Sequence, residues 1–294
     1  MSAMGEIKRL AEIAQPDIGV ITNISEGHLV QLKNLKDIQS AKGELFDSLT
    51  EEGTAIVNAD DPLVLELARS LRARTVTFGI DQPADVRASE IESKDNLGFQ
   101  FKVKLFDKTL SIRLPYLGYC NIYNTLAALA TGYSLGIQEE TMTRGLENYQ
   151  CMSQRNEQIR HKGIDLINDA YNANPRSMTE ALKTLDNFKT QGRRIFVIGD
   201  MLELGDRSVP AHKNLGEEIA QSKTNILVTV GKLAGLSAKY ALAGGKIQIL
   251  QFADHQEAAE FLIQEARSGD CVMFKGSRGT AMEKILQIFI ENKN

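Results

Sequence analysis

Two rhythms of apolar and polar residues alternate along the chain. Short continuous apolar runs, IGVITNI at 18–24, GTAIVNADD at 53–61 and TVTFGI at 75–80, read as buried parallel strands. Between them, apolar positions three and four apart predict helices over 5–15, 36–49 and 63–72. At about 85–116 the rhythm changes to alternation. VRASEIES, GFQFKVKLF and KTLSIRLP, with Asn-Leu-Gly and Asp-Lys turns between them, predict a small antiparallel meander beside the main sheet. A helix rich in small residues follows over 118–136, and the helical pattern ends near 148–158 in NYQCMSQRNEQ. Strand–helix alternation then resumes, with strands predicted at 164–168, 195–199, 226–230, 247–251 and 271–274. The whole is an α/β chain of two parts, 1–151 and 152–294, the second with Rossmann-like wiring but no GxGxxG loop.

The stretch 167–178, INDAYNANPRSM, gathers the most chemistry. A strand runs into it, ending on Asn168 and Asp169. A helix leaves it with Met178, Ala181, Leu182 and Leu185 on one face, Asn174 placed to cap and Pro175 in the first turn. Polar side chains crowded at a strand's C-terminal end, beside a helix N-terminus, suit an anionic ligand. An ordinary βα loop built from turn-forming Asn and Pro gives the same pattern, and the physics of this stretch alone leaves the two readings level.

Composition narrows the class. A net charge of −4 with no basic run argues against nucleic acid and against anionic membrane surfaces. Cys120, Cys151 and Cys271 are scattered outside any CxxC pattern, which points to a reducing compartment, the cytoplasm. No apolar run approaches membrane-spanning length, so no membrane insertion is expected.

The string DAYNANPRSM resembles the signature of the Mur ligases, most like the branch that adds D-alanyl-D-alanine to the peptidoglycan precursor. The resemblance implies a partial central ATPase domain at 1–151, a parallel sheet with its meander, followed by a C-terminal Rossmann-like α/β domain at 152–294. It also implies ATP-dependent amide-bond formation between UDP-MurNAc-tripeptide and D-Ala-D-Ala. In that family ATP phosphorylates the tripeptide carboxylate and the dipeptide amine attacks the acyl phosphate. Two Mg²⁺ ions offset the charge as it builds. The enzyme is expected to act as a monomer.

Individual residues follow from the same resemblance. NISEGH at 23–28 is similar to a family stretch whose histidine helps hold magnesium, so His28 takes that role. Lys42, in AKGELF, matches the lysine that carries an Nε-carbamate, a carboxylate made from CO2 that hard Mg²⁺ can use as an oxygen ligand. Asn121 and Asn124, in GYCNIYN, match the asparagines of HNxxN that meet adenine, although Cys120 stands where the family has histidine. Arg155, preceded by Gln154 in place of the family's glycine, would reach a nucleotide phosphate. Asp169 would accept from the ATP ribose or orient a metal-bound water, and counts with Lys42 and His28 as catalytic. Asn172 and Asn174 would line the acceptor pocket. FKGSRGTAMEKIL, at 274–286, resembles the family's KGSR segment, so Lys275, Ser277 and Arg278 would bind the dipeptide carboxylate. GDMLELGDRSVPAH, at 199–212, offers Glu203 and His212 as site-liners or as ordinary surface-helix residues.

A G-x-x-x-x-G-K-[ST] loop is absent from the sequence: Gly231-Lys232 and Gly245-Lys246 lack both the earlier glycine and the hydroxyl. In the family that loop and a UDP-sugar domain lie upstream of the part this chain resembles. The expectation is an N-terminally shortened ligase, inactive alone. Two other readings stay open: a non-catalytic module binding nucleotide and dipeptide, or another amide ligase of the superfamily, of folylpolyglutamate or cyanophycin synthetase type.

Overall fold

The computed structural model describes residues 3–25, 32, 34–245 and 247–293. The chain divides into two compact units, Met1–Gln150 and Cys151–Asn294.

The first unit runs α1 (Glu6–Ala14), β1 (Ile18–Ile21), α2 (Leu35–Asp47), β2 (Thr54–Asn58), α3 (Pro62–Ala68) and β3 (Arg74–Gly79). Then come β4 (Val86–Ser93), β5 (Phe99–Leu105), β6 (Lys108–Leu114), α4 (Cys120–Ser134) and α5 (Glu139–Asn148). Its sheet has the order β1-β2-β3-β4-β5-β6. The first four strands pair in parallel and the last three in antiparallel fashion. The meander is therefore not a separate ribbon beside the sheet but its continuation, joined through Phe78↔Val86 and Gly79↔Arg87. Two carboxylates explain the join. Asp60 accepts from the backbone N–H groups of Ile80, Asp81 and Gln82, and Asp85 accepts from the N–H and hydroxyl of Thr77. Together they fold the chain after β3 back alongside it. The small-residue helix α4 buries Ile122, Leu126, Leu129 and Ala130 against β2 to β6, one contiguous core.

The second unit runs β7 (Glu157–His161), β8 (Ile164–Asn168), α6 (Pro175–Asn187), β9 (Arg194–Gly199), α7 (Ser208–Gln221) and β10 (Ile226–Val230). Then come α8 (Lys232–Ala241), β11 (Gln248–Phe252), α9 (His255–Glu265), β12 (Cys271–Lys275) and α10 (Glu283–Asn292). The sheet order is β11-β10-β9-β12-β8-β7, parallel except for the β7–β8 hairpin. Strands β9, β10 and β12 are buried at every position or nearly so, which is why they read as continuous apolar runs. Strand β7 falls where the sequence shows only a boundary. It is a half-exposed edge strand, and it turns into β8 through Lys162 and Gly163, both with positive φ (50° and 79°). That turn conformation suits a tight hairpin.

Helix α6 forms as its pattern requires. Met178, Ala181, Leu182 and Leu185 are its buried residues. Asn174 caps the N-terminus in a box with Ser177, and Pro175 occupies the first turn.

Candidate acceptor and nucleotide-base sites

Strands β8 and β12 are neighbours in the second unit, and their C-terminal ends bring two distant segments together. The 169–174 loop leaves β8, and the 275–278 turn leaves β12. Lys275 clasps them. Its side chain is 3% exposed, and its ammonium donates to Asp169 Oδ2 (2.5 Å), to the Asn172 carbonyl (3.2 Å) and to the Asp169 carbonyl (3.4 Å). A cation this buried persists only because every donor is answered. Ser277, equally buried, donates to the Ala173 carbonyl and accepts from the Leu202 N–H. The Arg278 N–H lies 3.4 Å from Asn172 Oδ1.

The turn is close-packed as well. A Cβ on Gly276 would meet Thr280 Oγ1 at 2.4 Å and Met282 Cγ at 2.6 Å, so no larger residue fits there without moving the turn. The candidate residues thus fall in two layers. Lys275, Ser277 and Asp169 lie inside and build the loop, whereas the Arg278 side chain, 61% exposed, reaches out of it. Asn172 and Asn174 are half-buried between them, and the Asn174 amide oxygen is taken by the helix cap.

Arg155 sits before β7 on the same unit. Its guanidinium carbon lies 3.9 Å from the ring centroid of Tyr171, and that of Arg278 lies 5.9 Å from the same centroid. Gln154 joins in: its side-chain oxygen accepts from Arg278 Nη1 (2.7 Å) and its carbonyl accepts from the Tyr171 N–H (3.1 Å). Tyr171 and Gln154 have no assigned role in the sequence reading, although both lie within the segments quoted for it. Glu157, the first residue of β7, was missed outright. It accepts from the Ser153 hydroxyl, the Gln154 N–H and the Asn168 amide, and so pins this corner.

His212 is neither a site-liner nor a surface residue. It is fully buried, accepts from the Met201 N–H at Nε2 (3.0 Å) and donates from Nδ1 to the Ser208 carbonyl (2.7 Å). Burial pushes its pKa down, partly countered by the Ser208 carbonyl. The neutral ring is a brace for the 200–207 loop. Glu203 is exposed on that loop, with a left-handed backbone (φ 62°).

In the first unit, a cavity of about 330 Å³ is lined by Leu114, Tyr116, Asn121, Asn124, Thr125, Ala128, Leu146 and Tyr149. Apolar and aromatic walls with an amide pair at one side suit a flat heteroaromatic base. Asn121 donates to the Leu117 carbonyl (2.7 Å), and Asn124 donates to Asn121 Oδ1 (3.2 Å). The two amides are therefore oriented by the helix start, with the Asn124 oxygen left over as an acceptor among the described residues. Tyr116 and Tyr149 stand edge to face across the cavity, with centroids 5.4 Å apart. Cys120 is not among the lining residues.

Lys42 lies on α2 with its ammonium 2.6 Å from the Asn23 carbonyl, just beyond β1. His28 lies outside the described residues, and no group of three or more His, Cys, Asp or Glu able to hold a metal occurs among the described ones. An ammonium is a donor and cannot ligate Mg²⁺, so the donor set at Lys42 fits a magnesium ion only in the carbamate form.

Residues 1–132 match the Mur ligase middle domain, and residues 154–278 match the Mur ligase, glutamate ligase domain. The UDP-N-acetylmuramoyl-tripeptide--D-alanyl-D-alanine ligase of Bacillus subtilis (strain 168) is 35% identical over 294 residues, covering 99% of this chain and 63% of that protein. The enzyme of the same name from Escherichia coli (strain K12) is 31% identical, covering 98% of this chain and 63% of that protein. The crystal structure of MurF from Acinetobacter baumannii superimposes with a TM-score of 0.88 at 32% identity, over 99% of this chain and 63% of that one. The MurF ligase from Thermotoga maritima in complex with ADP gives a TM-score of 0.84 at 25% identity, over 99% of this chain and 66% of that one. The chain spans less than two thirds of the length of these two curated relatives. With both domain models matched in order along it, the chain belongs to the Mur ligase family.

Proposed function

We propose that this chain carries the base-binding and acceptor-binding parts of an ATP-dependent ligase that joins D-Ala-D-Ala to UDP-MurNAc-tripeptide in peptidoglycan precursor synthesis. In this reading 1–151 is the central ATP-binding part and 152–294 the acceptor part. The observation that carries it is the clasp in the second unit, where Lys275 and Ser277 hold the 169–174 loop against the 275–278 turn and leave Arg278 facing outward. An outward guanidinium above a loop held by these bonds is suited to a dipeptide carboxylate, which it can meet with two parallel hydrogen bonds. Lys275 and Ser277 then act by holding Asp169, Asn172 and Ala173 in place rather than by touching the dipeptide.

The remaining assignments fit around that. Asn121 and Asn124 hold the adenine edge, with Tyr116 and Tyr149 as apolar walls. Arg155 meets a nucleotide phosphate. ATP, when bound, supplies the phosphoryl group that activates the tripeptide carboxylate. Lys42 serves as a magnesium ligand once carbamylated, and His28 belongs with it.

Two measurements test the reading. Calorimetric titration of this chain with D-Ala-D-Ala should show saturable binding that L-Ala-L-Ala does not compete for. Arg278→Ala should weaken it on the order of tenfold or more, the loss of a charge-assisted bidentate contact. No heat from the dipeptide, or unchanged affinity in the variant, overturns the acceptor assignment. For Lys42, a carbamate resonance in ¹³C NMR under ¹³C-bicarbonate, absent in Lys42→Arg, is expected. A spectrum identical in the two proteins removes that role.

A further inference from the structure

The two arginines assigned above to different anions stand on one ring. Tyr171 is 42% exposed, with the Arg155 guanidinium carbon 3.9 Å from its centroid and that of Arg278 at 5.9 Å. We infer that Arg155, Arg278 and Tyr171 form a single oxyanion site, in which Tyr171 is the positioning residue that holds both guanidiniums ready. That phosphate and dipeptide carboxylate are the anions in question rests on the function proposed above. The existence of the site does not.

Three observations carry it. First, the Arg155 guanidinium makes no hydrogen bond or ion pair among the described residues, so the tyrosine face is what orients it. Arg278 has one hydrogen bond, to Gln154 Oε1, and a long ion pair to Glu283 Oε1 (3.7 Å), both through Nη1. Its Nε and Nη2 have no partner among the described residues. Second, the backbone spends strain to present Arg155. Gln154 and Asn156, on either side of it, both have left-handed φ (64° and 53°) although neither is glycine. Strain of this kind persists where surrounding bonds enforce it. Third, those bonds come from the loop that carries Tyr171: the Tyr171 N–H donates to the Gln154 carbonyl, and the Asn156 N–H donates to Asp169 Oδ1 (3.3 Å). Arginine and ring are thus fixed by one network. The ring quadrupole of Tyr171 attracts both cations, Arg155 closely and Arg278 from near the limit of such a contact. An incoming oxyanion then meets paired donors whose side-chain freedom is already restricted.

The test uses the 294-residue chain labelled with ¹⁵N-arginine, the two side-chain signals being assigned through Arg155→Lys and Arg278→Lys. Inorganic phosphate is the probe. Both signals should move along one saturation curve. Tyr171→Leu should weaken the apparent affinity on the order of tenfold, the worth of a partly desolvated cation–π pair. Tyr171→Phe, which keeps the face and loses only the hydroxyl, should stay within about twofold. Because Tyr171 is exposed, the backbone amide spectrum should survive both changes. Movement of one arginine alone, two different saturation curves, no movement at all, or a Tyr171→Leu variant that binds as the parent does would each overturn the inference. Titration with D-Ala-D-Ala then separates the sources. Competition with phosphate makes the dipeptide carboxylate an occupant of the shared site, and dipeptide binding without competition leaves the site to phosphate. Failure of the dipeptide to bind at all, with the phosphate response intact, counts against the acceptor assignment and not against the site.

Discussion

Lys275 shows how differently one residue reads in sequence and in space. Beside Ser277 and Arg278 it belongs to a cationic segment, and the resemblance makes it a carboxylate ligand. Burial assigns it a different task, because a side chain 3% exposed and bonded to three acceptors has no donor to spare. The consequence is a stability effect. Lys275→Met keeps much of the volume and leaves the Asp169 carboxylate, 11% exposed, without its charge partner, which should cost about 3–5 kcal/mol. Adding Asp169→Asn should recover a large part of it, since a neutral amide needs no countercharge. Urea unfolding of the three proteins checks this, and a loss below about 1 kcal/mol for the single variant would place the lysine in solvent instead. The Asn174 cap was legible from sequence because it depends on local context, a helix start next to Pro175. The layer in which a residue sits was not, since burial depends on β8 and β12 lying side by side, two strands about a hundred residues apart in sequence.

At the scale of elements, the parallel strands and the helices of both units were legible because their periods are strong. Strand β7 was not. Its alternation, Glu157 to His161, places partly buried residues between exposed polar ones, and an edge strand with a single neighbour needs no apolar run. The Lys162-Gly163 turn was the available signal. The loop between β9 and α7 is the other element the sequence left open, and His212 decides it. Its neutral ring bonds Met201 and Ser208, and burial holds its pKa below the ordinary value. A folded-state pKa below the unfolded one means that, as pH falls through the ordinary histidine value of about 6.5, the unfolded chain takes up a proton that the folded chain refuses. Stability should therefore be lower at pH near 5.5 than at about 7.5, and the loss should shrink in His212→Gln. Urea midpoints at the two pH values read this directly. A parent midpoint equal or higher at the acid end would contradict the neutral brace.

In the whole molecule the proposed ligands fall to different units, the base to the cavity between β6, α4 and α5 in Met1–Gln150 and the dipeptide to the corner at β8 and β12 in Cys151–Asn294. None of the helices among the described residues is long and apolar enough to cross a membrane. The order of the two units was readable from the change of pattern near residue 150. Periodicity marks the 169–174 loop and the 275–278 turn as strand ends of one sheet, and so lets them be neighbours; what it could not provide was the approach of Arg155 to them, which exists only once the second sheet has formed. Hydrogen exchange, followed across the chain with and without D-Ala-D-Ala, tests the convergence of loop and turn most directly. Bound dipeptide should slow exchange in two separated stretches together, 168–178 and 274–282, and leave the first unit as it was. Protection centred in residues 1–150, or slowing of one stretch without the other, would contradict the acceptor site described here.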